Sequence, residues 1–288
     1  MGTSSMYSGP NRSPLLPPDF DNGVKTDNPE NKPEEKYPDQ QKVPSPEQNE
    51  SNAPNEASTV SQNSNWTQAK KSMTHFASGK GGSKGKTVAI REYVKGHGGS
   101  GNAARSAKSG IRTTINIGDF FNNVSRKGVA QVLKEYNIPF EGRKPKDILN
   151  DIVNVIAPVP NTNEDAVARK ALIDTMSILY EKFDDEKQDI SLLNSKDSNI
   201  ADILVSKYIE TYIYERLLNE LGSRIEKNTA NSASAANIEK ELKEYIEIKV
   251  TQTLKDKPLS SINTQTKNVK VFVESLYQQC YKVLEDQL

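Results

Sequence analysis

Residues 198–227 read SNIADILVSKYIETYIYERLLNELGSRIEK, and this run decides the fold. Ile200, Ile203, Leu204, Tyr208, Ile209, Tyr212, Ile213, Leu217, Leu218, Leu221 and Ile225 recur at three- and four-residue intervals, the repeat of an α-helix. They cover more than one face. A helix that is apolar on several sides is either enclosed by neighbouring elements or joins another copy at an interface. The run therefore predicts a central helix, with an oligomer interface as the other reading.

Working outward, the same period continues on both sides. Leu172, Met176, Leu179 and Phe183 form a four-three-four stripe, with Asn161 and Glu164 as its reciprocal cap. Pro145 suits a first helical turn and opens a helix carrying Ile148, Leu149, Ile152, Val153 and Ile156, which stops at Pro158. Val124, Val129, Val132, Leu133 and Tyr136 predict a further helix ending before Pro139. Two more are predicted at Ala236–Leu254 and Thr266–Leu288. No segment combines period-two alternation with hairpin turn residues. The expected fold class is all-α, a multi-helix bundle over 113–288 preceded by a long disordered N-terminal tail.

The earlier residues differ in composition. Up to about residue 75 the chain is rich in Asn, Pro, Ser, Glu, Asp, Gln and Lys, which bury too little apolar surface to offset the entropy of ordering. Residues 1–75 are therefore expected to be a disordered tail. Residues 76–112 read as a flexible, glycine-rich basic connector with short helices, one around Ile90, Tyr93 and Val94 and one over Asn102–Thr113. Overall charge is zero, 38 Lys and Arg against 38 Asp and Glu, so no global field favours nucleic acid or membrane. The local balance is uneven: Asp19 to Glu56 holds ten carboxylates against four lysines, and Lys70 to Arg112 holds ten cations against one acid, Glu92. Lys84, Lys86, Arg91, Arg105, Lys108 and Arg112 could lie along phosphates by releasing counterions. Phe76 and Tyr93 are few platforms for unstacked bases, so this alternative function is weak, salt-sensitive, non-specific nucleic-acid binding.

Motifs for enzymatic chemistry do not hold together. Gly79 to Thr87 ends in the Gly-Lys-Thr of a phosphate-binding loop, but its spacing is one residue too long and no apolar strand precedes it. Gly96 to Gly101 matches the dinucleotide fingerprint, with Asp119 at the distance of a ribose-binding acid, yet the sequence downstream shows no alternating strands. His75 and His97 have no companion ligands at metal spacing. Cys280, the single cysteine, reads as a small core residue and excludes an internal disulfide. No catalytic residue, cofactor or metal is expected. The start lacks a signal-peptide pattern and no stretch is apolar enough to span a bilayer, so the protein is expected to be cytoplasmic.

The first twenty residues carry the most distinctive chemistry. Trimming of Met1 would expose Gly2, whose α-amine is roughly a tenth neutral at pH 7, against less than a thousandth for a lysine. Myristoylation is disfavoured by Met6, since that motif calls for Ser or Thr there. Ser13-Pro14-Leu15-Leu16-Pro17-Pro18-Asp19-Phe20 favours an extended conformation, in which Leu15, Leu16 and Phe20 could fill pockets of a partner. As a coil, a tail of about seventy residues has an end-to-end reach of roughly 45 Å.

The start Met1-Gly2-Thr3-Ser4-Ser5-Met6-Tyr7-Ser8-Gly9-Pro10, the Ser13–Pro18 motif, the polar spacer, the glycine-rich segment and the helical C-terminal part together resemble the QatB family of bacterial Qat anti-phage systems. The resemblance implies a non-enzymatic component that accompanies an ATPase (QatA), a QueC-like enzyme (QatC) and a TatD-like hydrolase (QatD). QueC-like enzymes couple an ATP-activated deazaguanine carboxylate to an amine. The resemblance thereby makes Gly2 a candidate acceptor, with Leu15, Leu16 and Phe20 aiding recognition.

Overall fold

Ten consecutive residues, Tyr208 to Leu217, are buried in α8 (Ile200–Asn228), so no side of this stretch faces solvent. The computed structural model describes residues 56–182, 190–194, 200–257, 259, 262, 265 and 267–286, with side chains from 65 onward apart from those of 182 and 192. All fall in one unit, Pro54–Leu288. Four helices surround α8: α1 (Glu56–Ala77), α4 (Lys108–Lys127), α7 (Asn163–Lys182) and α9 (Ser232–Leu254). The apolar coverage of α8 thus belongs to a central helix, and its faces are occupied within the chain.

Among the described residues there are ten α-helices, two short 3₁₀ turns and no strand. The all-α reading holds. The remaining helices are α2 (Gly85–Gly96), α3 (Ser100–Ser106), α5 (Val129–Glu135), α6 (Pro145–Ile156) and α10 (Val269–Glu285). Pro145 does open α6, and Ile148, Leu149, Ile152, Val153 and Ile156 are all buried. Leu172, Met176 and Leu179 line the core from α7, while Phe183 lies outside the described residues.

The structure departs from expectation most before residue 113. The segment read as the end of a tail and a flexible connector is helical and packed. Ala69, Met73 and Phe76 of α1 and Ala89, Ile90, Tyr93 and Val94 of α2 belong to the core, and α1 and α2 pack on each other as a helical pair. The physical reason lies in spacing: Trp66, Ala69, Met73 and Phe76 recur at three-four-three, a stripe wide enough to hold a helix whose other faces are polar. Gly96 serves this packing too, since a methyl there would lie 2.3 Å from the Trp66 ring. Asn102–Thr113 is likewise not one helix. The chain breaks at Ala107 between α3 and α4, and α4 continues through Val124 to Lys127, where Gly128 at φ +83° turns it into α5.

The cap of α7 is displaced by one residue from the expected Asn161–Glu164 pair. Asp165 N–H donates to Thr162 Oγ1 at 3.1 Å, and Thr162 N–H donates back to Asp165 Oδ2 at 3.1 Å. Two buried tyrosines of α8 extend the core toward α10: the Tyr208 and Tyr212 rings are 6.2 Å apart, and Tyr212 meets Tyr277 edge-on at 5.7 Å. Gly110 of α4 permits this approach, because a methyl there would lie 2.6 Å from the Tyr212 ring.

Candidate functional site

Arg216 is a buried charge, 6 % exposed and inside the apolar run of α8. Its five N–H donors are all engaged. Nε donates to Glu220 Oε1 at 3.3 Å; Nη1 donates to the Ala103 carbonyl at 3.0 Å and the Tyr281 hydroxyl at 3.4 Å. Nη2 donates to Ser106 Oγ at 2.8 Å and reaches His97 Nδ1 at 3.5 Å. Because Nδ1 faces a group that can only donate, the imidazole proton is assigned to Nε2, which lies 2.8 Å from Glu220 Oε2.

The surroundings are aromatic. The His97 ring meets Trp66 at 5.3 Å and Tyr93 at 5.0 Å, both edge-on. Burial alone would oppose ionisation of Glu220, but the hydrogen bond from His97 and the Arg216 charge outweigh it and hold the carboxyl below its ordinary range. Burial, reinforced by Glu220, pushes the Tyr93 hydroxyl well above the usual phenol range. This cluster joins α2, α3, α8 and α10. An arginine with every donor engaged inside the protein has none for a ligand, so the arrangement acts as a lock.

The second polar cluster joins helix ends. Glu164 Oε1 accepts from Ser109 N–H at 2.8 Å and from the Tyr212 hydroxyl at 3.0 Å. Asp165 accepts from Ser109 Oγ at 2.7 Å and pairs with Arg112 at 2.5 Å. The Ser109 and Thr162 hydroxyls, then Arg112 and the Asn161 amide, hold the Asp165 carboxyl well below the usual carboxylate range. Both acids thus serve the first turn of α7 and the first turn of α4 together, where helix dipoles favour negative charge.

The sequence-derived candidates fall in different places. Gly2, Leu15, Leu16 and Phe20 lie outside the described residues. Of the six cations, Lys86 lies 3.6 Å from Glu241, Arg91 pairs with Glu92 at 3.0 Å, and Arg112 pairs with Asp165. Arg105 bonds to Asn102, and Lys84 and Lys108 sit at the starts of α2 and α4. The six are spread over the turn before α2 and over α2, α3 and α4.

Both glycine motifs join helix to helix. Gly79–Thr87 runs from the end of α1 through the 3₁₀ turn Gly82–Lys84 into α2. In Gly96–Gly101, Gly98 and Gly99 take φ of +83° and +91°, and the start of α3 meets a carboxylate of the chain itself: Ser100 N–H donates to Glu285 Oε2 at 3.0 Å. A pyrophosphate would need that place. Cys280 is buried, and burial pushes its thiol up to about 12, the state of an inert core residue.

Sequence reasoning missed the Arg216 lock. One signal was present: Arg216 and Glu220, four residues apart on α8, form a charge pair. Nothing local announces His97, which is 123 residues from Glu220.

Among the described residues, no helix is long and apolar enough to cross a membrane and no His, Cys, Asp and Glu side chains are grouped as metal ligands are. The family model described as Qat anti-phage system associated protein QatB matches residues 98–284, well over half of the chain. No curated protein matches. No solved structure matches.

Proposed function

The chain belongs to the QatB family of Qat anti-phage system associated proteins, and from that premise we propose that it acts in the cytoplasm without chemistry of its own, as a helical docking domain that presents its N-terminal segment to partner enzymes. The partners in this reading are a QueC-like enzyme (QatC), the ATPase QatA and a TatD-like hydrolase (QatD). Gly2 is the amine acceptor for the QueC-like enzyme, and Leu15, Leu16 and Phe20 are its recognition residues. The observation that carries the reading is the way the chain enters the domain. Through α1, anchored by Ala69, Met73 and Phe76, every residue before Glu56 is tethered to a packed helix. Docking of the domain therefore raises the local concentration of Gly2 at a bound partner.

Intact-mass and N-terminal peptide analysis after co-expression with the QueC-like partner tests it. A mass increase confined to the peptide beginning at Gly2 is expected, abolished by removal of residues 2–20. An unmodified Gly2 in a system that still defends against phage sinks the proposal.

The rival reading, a non-specific nucleic-acid adaptor using Lys84, Lys86, Arg91, Arg105, Lys108 and Arg112, has less support, because Lys86, Arg91 and Arg112 already face carboxylates. It predicts DNA affinity that falls by orders of magnitude between roughly 50 and 200 mM salt. A flat salt response would dismiss it.

A further inference from the structure

A groove of about 390 Å³ opens between α1 and the turn into α2, outside the span matched by the family. Gln68, Lys71, Ser72 and His75 line it from α1, and these positions share one helical face by their spacing. Lys80, Gly81, Gly85 and Val88 close the other side. No carboxylate lines it. Among the described residues Lys71 and Lys80 have no acidic partner, while Lys86, one turn further, faces Glu241 outside the groove.

Ser72 supplies an independent observation. Its side chain is 8 % exposed, and its hydroxyl makes no hydrogen bond among the described residues although it lines the groove. That oxygen is not closed off from the groove, so it can bond whatever enters it. The helix ends add to the same field. The last carbonyls of α1 are closed by the turn, with Thr74, His75 and Phe76 accepting from Ser78, Lys80 and Gly79 at 3.0 Å each. The first turn of α2 has no side-chain cap. The negative helix end is thus satisfied, and at the positive end, where the Gly85 N–H is taken up by the Gly82 carbonyl, no acidic side chain in the first turn offsets the dipole.

The geometry points to a binding groove for a small phosphoryl oxyanion, a free phosphate or the terminal phosphate of a small molecule, held by Lys71, Ser72, His75 and Lys80. Two ammonium groups, a hydroxyl and an imidazole line the groove from α1 and from the turn into α2, a donor set that suits a tetrahedral dianion. The Gly-Lys-Thr ending plays no part in the form a nucleotide loop would require, since α1 rather than a strand leads into it.

The test uses the full chain, ¹⁵N-labelled and titrated with inorganic phosphate at constant ionic strength, with chloride as the control. Saturable shifts at Ser72, Gly81 and Gly85 are expected with phosphate and not with chloride. The double variant Lys71→Ala/Lys80→Ala should weaken binding about tenfold or more, and Ser72→Ala severalfold. Both lysines are on the surface, so the thermal midpoint should stay unchanged and a loss of binding cannot be ascribed to unfolding. Shifts that never saturate, or a double variant that binds as well as the parent, overturn the site. A third arm uses oligothymidylate: failure to displace phosphate supports the small-anion site, whereas tighter, lysine-dependent binding that displaces phosphate assigns the groove to a nucleic-acid backbone and overturns it.

Discussion

Arg216 is the residue at which the structure concentrates its risk. Removing one partner of a buried, hydrogen-bonded pair leaves the other charge uncompensated, so Arg216→Met should lower the unfolding free energy by about 3–5 kcal/mol in urea titrations. Lysine should not rescue it, because an ammonium cannot reach Glu220, Ala103, Ser106 and Tyr281 with one planar fork. A loss below about 1 kcal/mol for Arg216→Met would mean that the lock contributes little. The same cluster sets a pH response. The Glu220 carboxyl is held below its ordinary value of 4.5, so its contribution is complete above that value and is lost as pH falls through the folded-state value. Asp165 is lowered too and acts in the same direction. Glu210 runs the other way: burial raises it against the pull of Lys207, so its ionisation costs stability as pH rises through its folded value. Glu220→Gln should therefore lower stability at neutral pH and flatten the acid limb of a stability-against-pH curve below about 4.5. A variant curve parallel to the parent would show that Glu220 is not responsible.

At the scale of elements, three of the helices that begin without a side-chain cap have their start completed by a distant side chain. Gly99, Ala107 and Gly128 precede α3, α4 and α5 and offer no side-chain acceptor. Glu285 reaches Ser100 N–H, Glu164 reaches Ser109 N–H, and Asn194 reaches Val129 N–H, across 185, 55 and 65 residues. Glu164→Ala should cost about 1–2 kcal/mol, since it also strips Tyr212 of its acceptor. Hydrogen exchange should then quicken in the first turn of α4 and little elsewhere; unchanged exchange at Ser109 would refute the remote cap. This pattern explains what was legible. Helices with a strong apolar stripe and a proline boundary, such as α6 and most of α8, could be read from spacing, as could the all-α class. Breaks at Ala107 and Gly128 could not, because the groups that make them tolerable are supplied by α7 and the turn Ile190–Asn194. The misread connector has the opposite cause: glycine and lysine density masked the Trp66–Phe76 stripe, although Gly96 is there to admit the Trp66 ring. Of the candidate site, the sequence displayed Arg216 and Glu220 as an i,i+4 pair but left no trace of their meeting with His97.

For the molecule as a whole, the question is where the minimal folded unit starts. The family match begins at residue 98, whereas the packed unit begins near Pro54. A chain starting at Gly98 would lose Trp66, Met73, Phe76, Ile90, Tyr93 and Val94, and with them the side chains that α1 and α2 pack against α8 and α10. It would also lose His97, leaving Glu220 with one of its two cationic or donor partners and opening Arg216 toward solvent. Each fully buried large apolar side chain is worth about 1.5–3 kcal/mol, so losing five buried ones and the half-buried Trp66 approaches the whole stability of a domain, about 5–15 kcal/mol. The chain 98–288 should therefore melt without a cooperative transition or associate through the exposed faces of α8 and α10. The chain 54–288 should instead keep the full-length thermal midpoint within about 2 °C, because every described core contact lies inside it. Calorimetry of the two truncations decides the matter: a sharp, native-like transition in 98–288 would make α1 and α2 an accessory to an already complete bundle, and the Arg216 lock would then have to close without its histidine.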